Sequence, residues 1–316
     1  MLDALLDRTV VCSFDRTGYA RHARRFEPAA ERDLEDRDVL LTGGTAGIGR
    51  AAAEALVSRG ARVHLWGRGV EAGRATVQAL GARARFTSVD LGDLEAVGQA
   101  ARDLPVTAPA AVVLNAGAMP WARQLTPQGH ELVWASQVLG HLLLLRVLRA
   151  RGALASDTRV VWVSSGGLYA QRLSLDDLRR DRGYQRHTVY ANAKRAQLVL
   201  AQELAARWPT LHEAVMHPGW VRTEAVRGAM PIFYRLTLPI LRTPAQGADT
   251  IVWLATTSTP RPAGRLWLDR AAQPDHLRAG TREAPEDRAA LVETVFAATD
   301  PWVEGPDGPS QREAAS

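Results

Sequence analysis

Residues 40–56 read LLTGGTAGIGRAAAEAL, and the rest of the chain takes its meaning from this stretch. An apolar run ends in Thr42, Gly43, Gly47 and Gly49 punctuate the turn, and an alanine-rich helical pattern begins at once. Glycines allow a tight turn and a close backbone approach, and the free N–H groups at the helix start hold negative charge. At the head of a strand–helix–strand series, that charge is expected to be the pyrophosphate of a dinucleotide. The spacing is T-G-x-x-x-G-x-G rather than G-x-G-x-x-G, and its place between a first strand and a helix makes it informative.

Outward from this turn, short β-rich runs alternate with helical patterns. Strands are predicted at Asp38–Thr42, Arg62–Trp66, Ala84–Val89, Ala111–Asn115, Arg159–Ser164, His212–His217 and Gly264–Leu268. Between them lie helical stretches such as GRAAAEALVSRG, ELVWASQVLGHLLLLRVLRARG and ANAKRAQLVLAQELAARW. Near-continuous apolar strands with helical crossovers predict an α/β fold, a Rossmann-type doubly wound parallel sheet of about seven strands with helices on both faces. One domain is expected over 37–300, preceded by an arm at 1–36 and followed by a flexible tail at 301–316 rich in Pro, Gly and charge. The arm carries Leu2, Leu5, Leu6, Val10, Val11 and Phe14 beside Arg21, Arg24 and Arg25. Packing on its own domain is favoured over a peripheral membrane contact, because acidic residues interrupt the pattern.

Bulk composition excludes several classes. The net charge is +5, but Arg is scattered among Asp and Glu with no basic block, so no nucleic-acid partner is expected. A single cysteine, Cys12, forbids an internal disulfide and suits a reducing, cytoplasmic setting. No apolar run of transmembrane length occurs, and Asp3 and Asp7 stand where a signal peptide would be basic. His64, His130, His141, His187 and His217 show no metal-ligand spacing, so no metal is expected.

Four places in the chain point to chemistry. Arg68, at the end of the second strand, can pair with a 2′-phosphate where a carboxylate would favour the free 2′-OH, which favours NADP(H) and leaves NAD(H) open. Asp90, after the third strand, suits either an adenine contact or a helix cap, as does Asp93. The chain has 39 basic residues, and Lys194 is its only lysine. It lies four residues after Tyr190, on the same helical face. A compact, titratable ammonium there is expected to lower the phenol's pKa and to reach ribose hydroxyls, which a permanently charged guanidinium fork does poorly. Ser164 and Ser165 end the fifth strand, where a hydroxyl can orient a carbonyl, and Ser165 is the better candidate.

The turn TGGTAGIG, Asn115-Ala116-Gly117, Ser165, the Tyr190/Lys194 pair and HPGWVRT resemble, together and in order, the short-chain dehydrogenase/reductase family over about residues 38–270. The resemblance implies a catalytic set of Ser165, Tyr190 and Lys194. It also implies cofactor contacts from Gly43, Thr45, Gly47, Ile48, Gly49, Arg68, Asp90, Leu91, Asn115, Ala116, Gly117, Tyr190, Lys194, Pro218, Gly219, Val221 and Thr223. The family usually has an Asn, which helps anchor a proton-relay water, where this chain has Gln137. The expected activity is hydride transfer between NADP(H) and a carbonyl or secondary alcohol. The alternative is a nicotinamide-cofactor-binding protein with little catalysis. Ser165 and Tyr190 are 25 residues apart, longer than in the family's short members, and the insert resembles that of its retinol-dehydrogenase-like branch. Met230, Ile232, Phe233 and Tyr234 suit either the lining of a pocket for an apolar, lipid-like or aromatic substrate or a helix that packs in the core. A homo-oligomer is also compatible with the resemblance.

Overall fold

The computed structural model describes residues 6–7, 9–26, 32–176, 183–258 and 261–304. Its centre is one sheet of eight strands in the order β3-β2-β1-β4-β5-β6-β7-β8. These are β1 Asp38–Thr42, β2 Arg62–Gly67, β3 Ala84–Ser88, β4 Ala111–Leu114, β5 Arg159–Val163, β6 His212–Met216, β7 Arg265–Leu268 and β8 Ala271–Gln273. The first seven pair in parallel and β8 returns antiparallel on β7. The expectation of about seven strands missed β8, whose Ala-Ala-Gln has no β-rich signature. It forms because Asp269 and Arg270 both take positive φ, 48° and 60°, and fold the chain back.

The strands alternate between two cores, as their period of two requires. Leu40, Val112, Leu114, Val160 and Trp162 face one side. Val39, Leu41, Val113 and Val161 face the other. The first core is covered by α5 Leu94–Asp103, α6 Leu132–Ala150, α7 Arg186–Arg207 and α11 Pro285–Val303, and the second by α3 Gly47–Val57 and α10 Pro244–Thr256. Helix α4 Val70–Leu80 covers the outer strands β2 and β3.

Helix α6 is long and apolar enough to cross a membrane by length and composition, but 83% of its apolar window is buried inside the domain. A π-helical turn at Ala135–Leu139 interrupts it, and such turns often accompany functional sites. Gly140 follows because any Cβ there would sit 2.1 Å from the Leu91 carbonyl oxygen.

The arm packs on its own domain. Its helices are α1 Val10–Phe14 and α2 Arg16–Ala23, the second capped by the Asp15 carboxylate, which accepts from Thr17 N and Gly18 N. Phe14, from the apolar set weighed for membrane contact, is buried against His217, with ring centroids 4.4 Å apart. Leu2 and Leu5 lie outside the described residues. At the other end, α11 runs through residue 300 to Val303, and Trp302 O accepts from Arg102 at 2.9 Å. The helix therefore continues into the first residues of the expected tail, and residues 305–316 lie outside the described part.

A buried ion pair fastens the arm. Arg242 donates to both Asp269 carboxylate oxygens at 2.6 and 2.8 Å, and also to Ser13 O, Asp15 O and Pro218 O. His22 bridges Asp269 and Asp7 at 2.6 and 2.9 Å. Asp269→Ala leaves the guanidinium uncompensated, so a loss of about 3–5 kcal/mol is expected, read as a lower denaturation midpoint in urea. The Asp269→Ala/Arg242→Met double variant should lose less than the sum of the single losses. Equal midpoints for wild type and Asp269→Ala would contradict this.

Candidate active site

The carboxyl ends of β1, β4, β5 and β6 share one edge of the sheet, and β1 sits where the strand order reverses. At that edge Gly43 and Gly47 have φ of +68° and +53°. A Cβ on Gly49 would lie 2.2 Å from Gly43 O and 2.5 Å from Asn115 Nδ2, so only glycine fits. No side chain caps the start of α3 at Ala46, so its first-turn N–H groups have no side-chain acceptor. Gly47 faces Thr223 across the cleft, where an added Cβ would stand 3.1 Å from the Thr223 methyl. Ile48 and Val221 both border Gly247, and Gly219, at φ +73°, brings its backbone against Phe14 O and Arg242. An uncapped helix start behind a glycine cradle fits a dinucleotide pyrophosphate.

Asn115 and Thr42 hold this cradle in place. Asn115 Nδ2 donates to Thr42 O and Gly43 O at 3.0 and 3.1 Å. Thr42 Oγ1 accepts from Asn115 N at 2.9 Å and Ala116 N at 3.0 Å. Gly117 borders the Gln137 side chain, and Thr45 borders Gly67 at the end of β2. Beyond β2, Arg68 is exposed and lies 3.9 Å from Asp90, which itself accepts from Gly92 N. The cap of α5 is Asp93, not Asp90. Leu91 is buried between them.

The two serines have different roles. Ser164 is buried and donates to Lys194 O at 3.0 Å, which fastens β5 to α7. Ser165 is partly exposed, accepts from Gly167 N at 3.2 Å and hydrogen bonds with the Tyr190 phenol. Lys194 is buried and donates to Val163 O at 2.9 Å and Gln197 Oε1 at 3.2 Å. Its Nζ is 5.6 Å from the Tyr190 ring centroid.

The expected direction of the phenol's pKa is corrected here. Burial raises the Tyr190 pKa, and the hydrogen bond from Ser165 opposes that only in part. Lys194 does not pull the phenol down; burial brings the ammonium itself to about 7. The lone lysine is thus a group that titrates near neutrality.

Gln137 lies in the π-helical turn. Its Nε2 donates to Ala118 O at 2.7 Å, and its buried Oε1 has no partner among the described residues. Its main-chain oxygen, not its side chain, leads to Lys194. Gln197 Nε2 donates to Gln137 O at 2.7 Å, and His141 Nδ1 donates to the same oxygen at 3.1 Å. His141 Nε2 then accepts from Thr42 Oγ1 at 3.0 Å. The imidazole is buried and brought down to about 3, so it stays neutral in this role. A continuous polar chain therefore joins Lys194, Gln197, Gln137 O, His141 and Thr42. Gln197 escaped the sequence reading, and its only signal was polarity inside an otherwise apolar stretch; Thr42 was read only as the first residue of the glycine motif.

Helices α8 Glu224–Ala229 and α9 Pro231–Thr237 follow Thr223, which caps the first of them. Phe233 packs on Trp220 with centroids 5.2 Å apart. Ile232 is 74% exposed, so it does not line a closed pocket. Part of the long insert, residues 177–182, lies outside the described residues. Among the described residues no group of His, Cys, Asp and Glu is arranged to hold a metal.

The model of the NAD dependent epimerase/dehydratase family matches residues 39–221. The chain is 35% identical to Dehydrogenase/reductase SDR family member 12 of Bos taurus, over 89% of this chain and 92% of that protein. It is 32% identical to polyprenol dehydrogenase of Mus musculus, over 80% of this chain and 81% of the relative. A short chain dehydrogenase of Shigella flexneri, solved with NADP, superposes with a TM-score of 0.58 at 25% identity, covering 74% of this chain and 98% of that one. The chain belongs to the short-chain dehydrogenase/reductase family, oxidoreductases acting on CH–OH and C=O groups.

Proposed function

We propose that this protein uses NADP(H) to interconvert an apolar, lipid-like or aromatic carbonyl compound and its alcohol. The observation that carries the proposal is the gathering of Ser165, Tyr190 and Lys194 at the sheet edge beside the glycine cradle. The nicotinamide cofactor, when bound, supplies or accepts the hydride. The backbone of Gly43–Gly49, with Asn115–Gly117 and Pro218–Thr223, would hold it. Ser165 orients the carbonyl oxygen. Tyr190, kept neutral by burial, donates the proton. Two Lys194 N–H groups are held by Val163 O and Gln197, which leaves one for a ribose hydroxyl.

Trp220 and Phe233 give the substrate side an aromatic wall. A relative named polyprenol dehydrogenase agrees with a lipid-like substrate. The test is NADPH consumption with long-chain aldehydes and aromatic ketones. Tight NADPH binding with no consumption across the panel would favour a cofactor-binding protein instead.

Cofactor choice rests on Arg68, whose weak contact with Asp90 leaves its guanidinium accessible to a phosphate. Arg68→Ala is expected to weaken NADPH binding by about 10-fold while leaving NADH binding unchanged, as titration of both would show. An unchanged ratio of the two affinities would make Arg68 a surface residue.

A further inference from the structure

Arg186, Tyr190 and Lys194 recur every four residues along α7, so they share one face. Arg186 opens the helix, one turn of about 5.4 Å beyond the phenol. Its guanidinium is held in place from two sides of the cleft. The Cζ atom lies 3.5 Å over the Trp121 ring, in the loop after β4. Nη2 donates to Ala229 O, at the end of α8. Nη1 is buried and has no partner among the described residues. Among the described residues, Glu131 accepts from Trp134 N and Tyr184, and Glu224, at the start of α8, pairs with Arg227. No side chain caps the first turn of α7 either.

A buried guanidinium N–H without an acceptor is costly, and a carboxylate oxygen is its best complement. We propose that Arg186 anchors a carboxylate carried by the substrate about one helical turn from the reacting carbonyl. This rests on the functional reading above and narrows it to amphiphilic substrates, whose apolar body meets Trp220 and Phe233 while the acid reaches Arg186. The anchor fixes the distance between the two groups, so it selects on length as well as on charge.

The NADPH complex is tested with 4-carboxybenzaldehyde against its neutral methyl ester. The acid is expected to be favoured by about 10-fold or more in kcat/KM, chiefly through KM. Arg186→Gln should bring that ratio close to one, and Arg186→Lys should keep part of it. Equal use of acid and ester by wild type would overturn the anchor, as would an Arg186→Gln protein that slows both substrates alike. Calorimetric titration with terephthalate needs no turnover. Binding that depends on Arg186 without any reduction would support the anchor and sink the functional reading alone. No binding would sink the anchor.

Discussion

A Tyr190→Phe protein is expected to lose about 1,000-fold in kcat/KM for NADPH-dependent carbonyl reduction, the range in which positioned proton donors act. The ring is preserved, so packing and cofactor affinity should hold. Only the phenolic O–H, and its hydrogen bond with Ser165, is removed. Burial holds the phenol above its ordinary value, so at neutral pH it is an acid ready to donate rather than a phenolate ready to accept. Parallel turnover and NADPH-binding assays on the two proteins check this. Activity within about tenfold of wild type would remove Tyr190 from the chemistry.

Lys194→Arg is the second large effect, with an expected loss of about 100-fold in kcat/KM for NADPH. The ammonium sits in a buried place shaped by Val163 O and Gln197 Oε1, and a guanidinium fork cannot occupy it without displacing one of them. Charge behaviour changes as well. Burial places the Lys194 pKa at about 7, so the free enzyme carries this positive charge below pH 7 and loses it as pH rises through that value. The kcat/KM for NADPH reports the free enzyme's ionisations, so it should fall across neutrality in wild type. In Lys194→Arg that limb should flatten, because guanidinium stays charged. Lys194→Met, similar in length and without charge, should lie at the low plateau throughout. A wild-type profile flat from pH 6 to pH 9 would contradict the role of a titrating lysine. That range spans roughly one to two units on either side of the value burial sets.

The parts of the site carried by local spacing were legible in the sequence. The glycine turn, Ser165, and Tyr190 with Lys194 each depend on residues within one turn of helix or one strand end, where spacing determines geometry. Asn115 was legible as part of a short run after a strand. The direction of the phenol's pKa was not, because burial sets it against only the Ser165 hydrogen bond, and burial is a property of the whole fold. Nor was the bridge through Gln197, whose partner Gln137 is 60 residues away in sequence. The arm's hold on the rest of the domain was hidden for the same reason: Arg242 meets the Asp15 carbonyl across 227 residues. Strand β8 was missed because two positive-φ residues, not β propensity, return the chain to the sheet.

The most direct measurement is a titration of the purified protein with NADPH, followed by quenching of its Trp fluorescence, beside the same titration of a Gly49→Val protein. Wild type should bind saturably, and Gly49→Val, whose side chain would collide with Gly43 O and Asn115, should not. Absence of saturable binding by wild type, or equal binding by both proteins, would contradict the placement of the cofactor at the glycine turn and the oxidoreductase reading built on it.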